Sequence, residues 1–351
     1  MSTIFEDTDL AEFRERLQHA DSAVRRIAVL DLADRDGDEH APLFVAALRD
    51  TDAAVRAEAA RALEAFESVD GVTGLVALLT DEDDEVRDAA AHTLSELKQV
   101  ASAAVLLPHV AHPDAFVRIS VLRAVRELRA PGSYTPALAA LNDADAAVRR
   151  EAVAVLGYLK QPEALPALTR LVSHDPDAEV RRAAVGALAY ASSPALPPTN
   201  VAAGSPSSSR ADESDADYAS AALAALLDGL RDSAWQVREE AATTLGKLVL
   251  PPAGKQQAGA ALIDTLKDAY WQVRLRAARS LGRLRHAPAL ESLVAALTHT
   301  ISNLRKESAL ALGELGNAAA IPALTVAADD SDPEVRKSAR LALTQIQGAL
   351  R

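Results

Sequence analysis

One hydrophobic pattern recurs along the whole chain. Taking an apolar residue as position zero, the copies align on Val24, Val55, Val86, Val117, Val148, Val180, Val237, Val273, Leu304 and Val335. Their spacings are 31, 31, 31, 31, 32, 57, 36, 31 and 31 residues. Position +4 is small or apolar in every copy, as in Ala28, Ala59, Val121 and Ser308, and +8 is apolar from Leu32 to Leu343. Offsets 0, +4, +8 and +11 share one stripe of a helix, so each copy predicts an amphipathic helix. Small residues at +4 let neighbours approach toward the low end of the roughly 8–10 Å interaxial range. A second apolar run precedes each turn, as at 41–49 and 320–324, with Pro42 or Pro322 near its start, where proline suits a first helical turn. The unit is helix, short turn, helix, and a fixed period of this length belongs to stacked repeats.

The polar positions add a second regularity. Position +1 is arginine in all ten copies, from Arg25 to Arg336, and position −3 is aspartate in seven: Asp21, Asp52, Asp83, Asp114, Asp145, Asp177 and Asp332. An aspartate just before a helix accepts hydrogen bonds from its free N–H groups and complements its positive end. An arginine at +1 is within reach of an aspartate on a neighbouring turn, which predicts capping plus ion pairing between repeats.

The runs D-x-x-V-R-x-x-A-x-x-A-L at Asp52–Leu63 and Asp177–Leu188 resemble the HEAT-like repeat of the phycobilisome-lyase type, over about residues 10 to 347. The resemblance implies an all-α fold, an α-solenoid forming a right-handed superhelix of about ten helix pairs. It is far less specific for function. The type is named after bilin-attachment proteins, yet the same repeats occur in scaffolds, adaptors, metal-dependent hydroxylases and DNA glycosylases.

Composition narrows those choices. At 351 residues two or three globular domains would fit, but the period recurring along the chain predicts a single repeat solenoid spanning 1–351. The sequence has no cysteine, which excludes disulfides, thiolate nucleophiles and cysteine-ligated metals. The first residues hold no basic-then-apolar signal segment, and no apolar run reaches membrane-spanning length, so a cytoplasmic protein without a membrane partner is expected. The net charge of −13 disfavours a nucleic-acid partner. His109 and His112, three apart, are the best metal-binding pair, but Pro113 follows and no third ligand is evident. The paired His-Glu motifs of the HEAT-like hydroxylases are absent: no His-Glu dipeptide occurs anywhere. No metal, no cofactor and no catalytic residues are expected, and the reading leans away from an enzyme.

The regularity breaks after Tyr190. The 57-residue spacing exceeds the period by 26, and the run 192–216, rich in serine, proline and acidic residues, reads as a disordered insertion. The terminal repeat is expected to be covered by Phe5 and Phe13. By resemblance, the helix after each turn lines a concave groove with its +2, +6 and +10 positions. Those positions carry ten basic residues (Arg26, Arg61, Arg123, Arg150, Arg182, Lys247, Arg279, Arg283, Lys306 and Lys337) against six acidic ones. Every tyrosine and tryptophan lies between Tyr134 and Trp271. Tyr158 and Tyr190 share the +10 position of adjacent repeats, and repeats seven and eight carry the deviant turns Trp235-Gln236-Val237-Arg238 and Trp271-Gln272-Val273-Arg274, where the aspartate at −3 becomes Ala234 and Tyr270. The expected function is a scaffold or adaptor that binds an acidic client protein in its groove, through Trp235, Trp271, Tyr270, Tyr158, Tyr190, Arg182, Arg279 and Arg283. The alternative is a chaperone-like lyase handling a bilin or another cofactor on a client.

Overall fold

The computed structural model describes residues 3–35, 37–191 and 208–349 of the chain. Among these residues there are twenty α-helices, short 3-10 turns and no strand. The chain divides into two compact units, Met1–Leu159 and Lys160–Arg351.

In the N-terminal unit the helices that follow the turns are Ser22–Ala33, Ala53–Ala62, Asp84–Ser95, Ala115–Glu127 and Ala146–Leu159. Each of these trailing helices packs on the next. The leading helices, Thr3–Arg16, Ala41–Ala47, Val69–Leu78, Ala103–Leu106 and Tyr134–Ala140, form a second layer. The C-terminal unit repeats the plan. Its trailing helices are Ala178–Ala187, Trp235–Leu245, Trp271–Leu284, Ser302–Leu315 and Pro333–Ala349, and its leading helices are Leu165–His174, Ser208–Gly229, Pro252–Thr265, Leu290–Ala296 and Ile321–Ala327.

The core is the stripe read from the sequence. Position +4 is buried in every repeat, and position zero in all but the first, where Val24 is half-buried. Position +8 is buried from Leu32 to Leu312, while Leu343 of the tenth repeat is half-buried. Phe13 is buried beneath the guanidiniums of Arg16 and Arg35; the side chain of Phe5 lies outside the described residues. The C-terminal unit gains a second close contact at position +9. A β-carbon there would stand 2.7 Å from the Ala311 Cα at Gly282, 2.9 Å from the Ala342 Cα at Gly313 and 2.9 Å from the Ser280 Cα at Gly246. Only glycine fits that near to the next helix.

Of the insertion expected at 192–216, residues 192–207 lie outside those described. From Ser208 onward the backbone is helical, so the second part of the run opens Ser208–Gly229, at 22 residues the longest described helix. The smaller five-residue excess before repeat eight is absorbed in the same way. It lengthens a leading helix to the 14 residues of Pro252–Thr265, with Pro252 in the first turn.

Candidate functional site

The turns are the most ordered polar feature of each unit. In at least six of them the arginine at +1 makes a bidentate pair with an aspartate of the next turn, with N–O distances of 2.6–3.0 Å: Arg25–Asp50, Arg56–Asp81, Arg118–Asp143, Arg181–Asp232, Arg238–Asp268 and Arg305–Asp330. The same guanidinium ties down its own turn. Arg56 Nη1 donates to the carbonyls of Asp50 and Thr51 at 2.8 and 3.3 Å. The paired aspartates stand at −5, a column the sequence reading did not single out, and each also accepts the N–H of the residue two further on, as Asp50 does from Asp52 at 2.8 Å. The aspartates at −3 have the expected separate task. Asp52, Asp83 and Asp177 each accept two N–H groups of the following helix, and Asp21 and Asp114 accept one.

These contacts set the charge states. At Asp50, Asp81, Asp232 and Asp268 burial works against ionisation, yet the paired arginine and the turn N–H outweigh it and hold each carboxyl below the usual range. At Asp330 the hydrogen bond from Arg305 leads and the direction is the same.

Repeats seven to nine depart from this plan. Ala234, Tyr270 and Ile301 stand where seven repeats have a capping aspartate, and none of them makes a side-chain cap bond. The reason is visible in the slot between consecutive turns. At two other joints the residue at −2 meets the −3 aspartate of the next repeat: Ser22 hydrogen-bonds Asp52, and Ser302 hydrogen-bonds Asp332. Between repeats seven and eight that slot holds Trp235 stacked on Tyr270, with centroids 5.3 Å apart and planes 14° off parallel. The Arg238 guanidinium lies 5.7 Å from the centroid of the Tyr270 ring. Trp235 and Trp271 are half-buried, and Tyr270 remains 44% exposed. The tryptophan turns therefore have a packing role, and they also leave aromatic surface in solvent.

The remaining expected site residues do not gather there. Arg279 and Arg283 follow Trp271 on one helix by eight and twelve residues, which places them about 12 and 18 Å further along its axis. Arg279 Nε lies 3.6 Å from the buried Glu307 carboxylate. Arg283 is exposed, with no ion pair among the described residues. Arg182 pairs with Glu179, one turn back on its own helix, at 2.8 Å. Tyr158 belongs to the N-terminal unit, 40% exposed, with the Arg129 guanidinium 5.2 Å from its ring centroid. Tyr190 is a correction: only 6% exposed, it donates its hydroxyl to the Gln161 carbonyl at 3.0 Å, so it is part of the core and not of a binding surface.

The basic excess at +2, +6 and +10 is also offset. Arg26 pairs with Glu58, Arg61 with Glu58 and Glu85, Arg123 with Glu151, and Arg279 with Glu307. Glu58, Glu151 and Glu307 all stand at +3, one step round the helix from the positions that were counted. His109 and His112 have ring centroids 6.3 Å apart, and His112 Nδ1 accepts the N–H of Asp114. Among the described residues no group of three or more His, Cys, Asp or Glu side chains is placed to hold a metal ion, and no helix is long and apolar enough to cross a membrane.

The sequence profile described as HEAT repeats matches residues 10–77, 66–126, 134–199 and 259–344, and a second HEAT repeat profile matches 222–250. The chain belongs to the HEAT-repeat family. Its HEAT architecture has solved counterparts. An engineered protein shares 23% identity over 97% of this chain and 99% of its own, with a TM-score of 0.52. A Kap95:Nup1 complex holds a chain that is 14% identical over 96% of this chain and 50% of its own, with a TM-score of 0.63. Both support the HEAT fold. Human deoxyhypusine hydroxylase in complex with glycerol, 24% identical over 80% of this chain and 96% of its own, superposes with a TM-score of only 0.32. No curated protein matches the chain in sequence.

Proposed function

We propose that this HEAT-repeat protein is a scaffold that binds a client protein, and that the turns of repeats seven to nine make the contact. The observation behind this reading is the Trp235–Tyr270 stack, which keeps an aromatic surface in solvent where other repeats keep a helix cap. Tryptophan and tyrosine dominate binding hot spots because they bury large rigid areas at low entropic cost. The pairing of Arg26, Arg61, Arg123, Arg182 and Arg279 with carboxylates supports a client held chiefly by apolar contact, with exposed Arg283, Lys247 and Lys337 among the cations left for a client carboxylate. A Kap95:Nup1 complex among the similar folds shows the same kind of architecture in a protein assembly. Nothing in the comparisons favours the cofactor-handling alternative.

A photo-crosslinking amino acid at position 270 tests the reading in the native cell. It is expected to trap a defined client that the same label at exposed Val326 does not. Trp235→Ala combined with Trp271→Ala is expected to weaken client binding at least tenfold, as loss of anchor residues does. Equal capture from both positions, together with unchanged affinity of the double variant, would overturn the assignment.

A further inference from the structure

We propose that the joint between repeats eight and nine is a proton-sensitive latch, in which neutral His299 closes the turn that faces Arg274 and its protonated form opens that turn and repels the guanidinium. His299 occupies the −5 column, where the six clamped joints place a carboxylate. Its Nδ1 accepts the N–H of Ile301 at 3.0 Å, as Asp268 does from Tyr270 at 2.9 Å and Asp330 from Asp332 at 2.8 Å. Its carbonyl accepts Nη1 of Arg305 at 2.9 Å. The imidazole therefore reproduces the turn-forming half of the aspartate's work. It cannot reproduce the other half. Arg274, the +1 arginine that faces this position, keeps one bond from Nη1 to the Asp268 carbonyl at 2.7 Å, and its Nε is buried with no acceptor.

The charges around His299 make the second proton costly. Arg274 reaches it from the trailing helix of repeat eight and Arg305 from its own trailing helix, while the nearby carboxylates are committed elsewhere, Asp268 to Arg238 and Asp330 to Arg305. An imidazolium donates from both ring nitrogens. Protonation of His299 thus removes the acceptor for the Ile301 N–H and sets a third cation beside two guanidiniums. Burial first, then Arg274 and Arg305, push the His299 imidazole below its ordinary value. The sign follows: the unfolded chain takes the proton first, so the stability of this joint is complete above the ordinary histidine range and is lost as pH falls through it.

The same substitution occurs at His112, opposite Arg87, where Nδ1 accepts the N–H of Asp114 at 3.1 Å. There the arginine has another carboxylate, Asp84, three residues back on its own helix. In repeat eight the residue in the place of Asp84 is Trp271. Trp271 gives Arg274 no second carboxylate of the kind that Asp84 gives Arg87.

Hydrogen exchange of the full chain, corrected for intrinsic rates, reads the latch at pH 7.5 and pH 5.5. In the parent, amides of 299–305 are expected to exchange severalfold faster at the lower pH, while those of 266–272, across the Arg238–Asp268 clamp, do not. His299→Asp supplies the carboxylate that Arg274 lacks and is expected to abolish the acceleration. His299→Gln, which cannot be charged, is expected to be equally insensitive to pH and guards against a folding defect peculiar to the aspartate. No acceleration in the parent, or the same acceleration in both variants, would overturn the proposal.

Discussion

At the scale of single residues, the arginine at +1 does two jobs with one guanidinium: two donors clamp the next repeat and a third closes its own turn. Arg56 is buried, and its Nε and Nη2 meet Asp81 at 2.8 and 2.7 Å. Arg56→Ala leaves that carboxylate unpaired and is expected to cost about 2–3 kcal/mol, the scale of a buried charged hydrogen bond. Arg336, which among the described residues bonds the carbonyls of Asp330 and Ser331 at 2.8 and 3.0 Å, is expected to cost roughly 1 kcal/mol when changed to alanine. Urea unfolding of the two variants gives the comparison, and equal losses would show that the clamp adds nothing. The clamps also predict acid sensitivity. Asp50, Asp81, Asp232, Asp268 and Asp330 all hold lowered pKa values, so the unfolded chain protonates first and their contribution, present above the ordinary carboxylate range, is lost as pH falls below it. Asp81→Asn is expected to flatten that decline in urea titrations run from pH 7 down to pH 3. The capping role of the −3 aspartates was legible in the sequence because capping is local. The clamp was only half legible: its arginine was plain, but the partner sits in the next repeat, in a −5 column of seven aspartates and three histidines.

Among elements, the helix pairs follow from periodicity, and the stripe at 0, +4 and +8 is the core in both units. What the stripe does not encode is how near two helices come. The glycines at +9 read as weak helix residues in isolation, and their reason appears only when Gly282 is set against the Ala311 Cα. Gly282→Ala is expected to destabilise by about 1–3 kcal/mol through overpacking, read as a lowered thermal midpoint. Helix ends carry an opposite signal. Arg285 closes Trp271–Leu284 in the left-handed region at φ 49°, and Arg129 and Lys160 adopt φ of 54° and 53° after their helices, where Gly316 stands at 72°. Relief of that strain makes Arg285→Gly stabilising by up to about 1 kcal/mol, less the entropy that glycine adds to the unfolded chain. The same measurement decides it: an unchanged or lowered midpoint would mean that the Arg285 side chain holds something that the backbone strain does not outweigh. The helical backbone at 208–216 has a related reason. Its serines and aspartates lack a hydrophobic face, but they lead directly into the apolar turns of Ser208–Gly229, and helix propagates from a formed segment more readily than it starts.

For the molecule as a whole, function rests on which surface is irregular. Trp235, Tyr270 and Trp271 were visible as deviations from a strict pattern, whereas Tyr190 misled because exposure at +10 depends on neighbouring helices that no local pattern describes. A substitution that restores the rule separates packing from recognition. Tyr270→Asp returns the capping residue, a gain of ~1 kcal/mol, and removes the ring stack, a loss of roughly 0.5–1.5 kcal/mol. Stability is therefore expected to stay nearly level while client affinity falls at least tenfold; calorimetry of folding and of binding on one preparation distinguishes the two, and an unaffected affinity would place recognition elsewhere. The clamp has one more consequence, for how such a chain is lengthened or shortened. Seven of the ten repeats carry a carboxylate at −5 and all ten a guanidinium at +1, so most repeats are a plug and a socket in one piece. Excising residues 51–81, one period of 31, joins Asp50 to Glu82 and leaves Arg25 with Asp50 and Asp83 with a helix to cap. That shortened chain is expected to melt in one cooperative step, whereas removing 51–78 leaves three surplus residues in the turn and is expected to split the transition. Whole repeats are thus the natural coin of gain and loss in this chain, because a break at any other interval puts a guanidinium opposite the wrong turn.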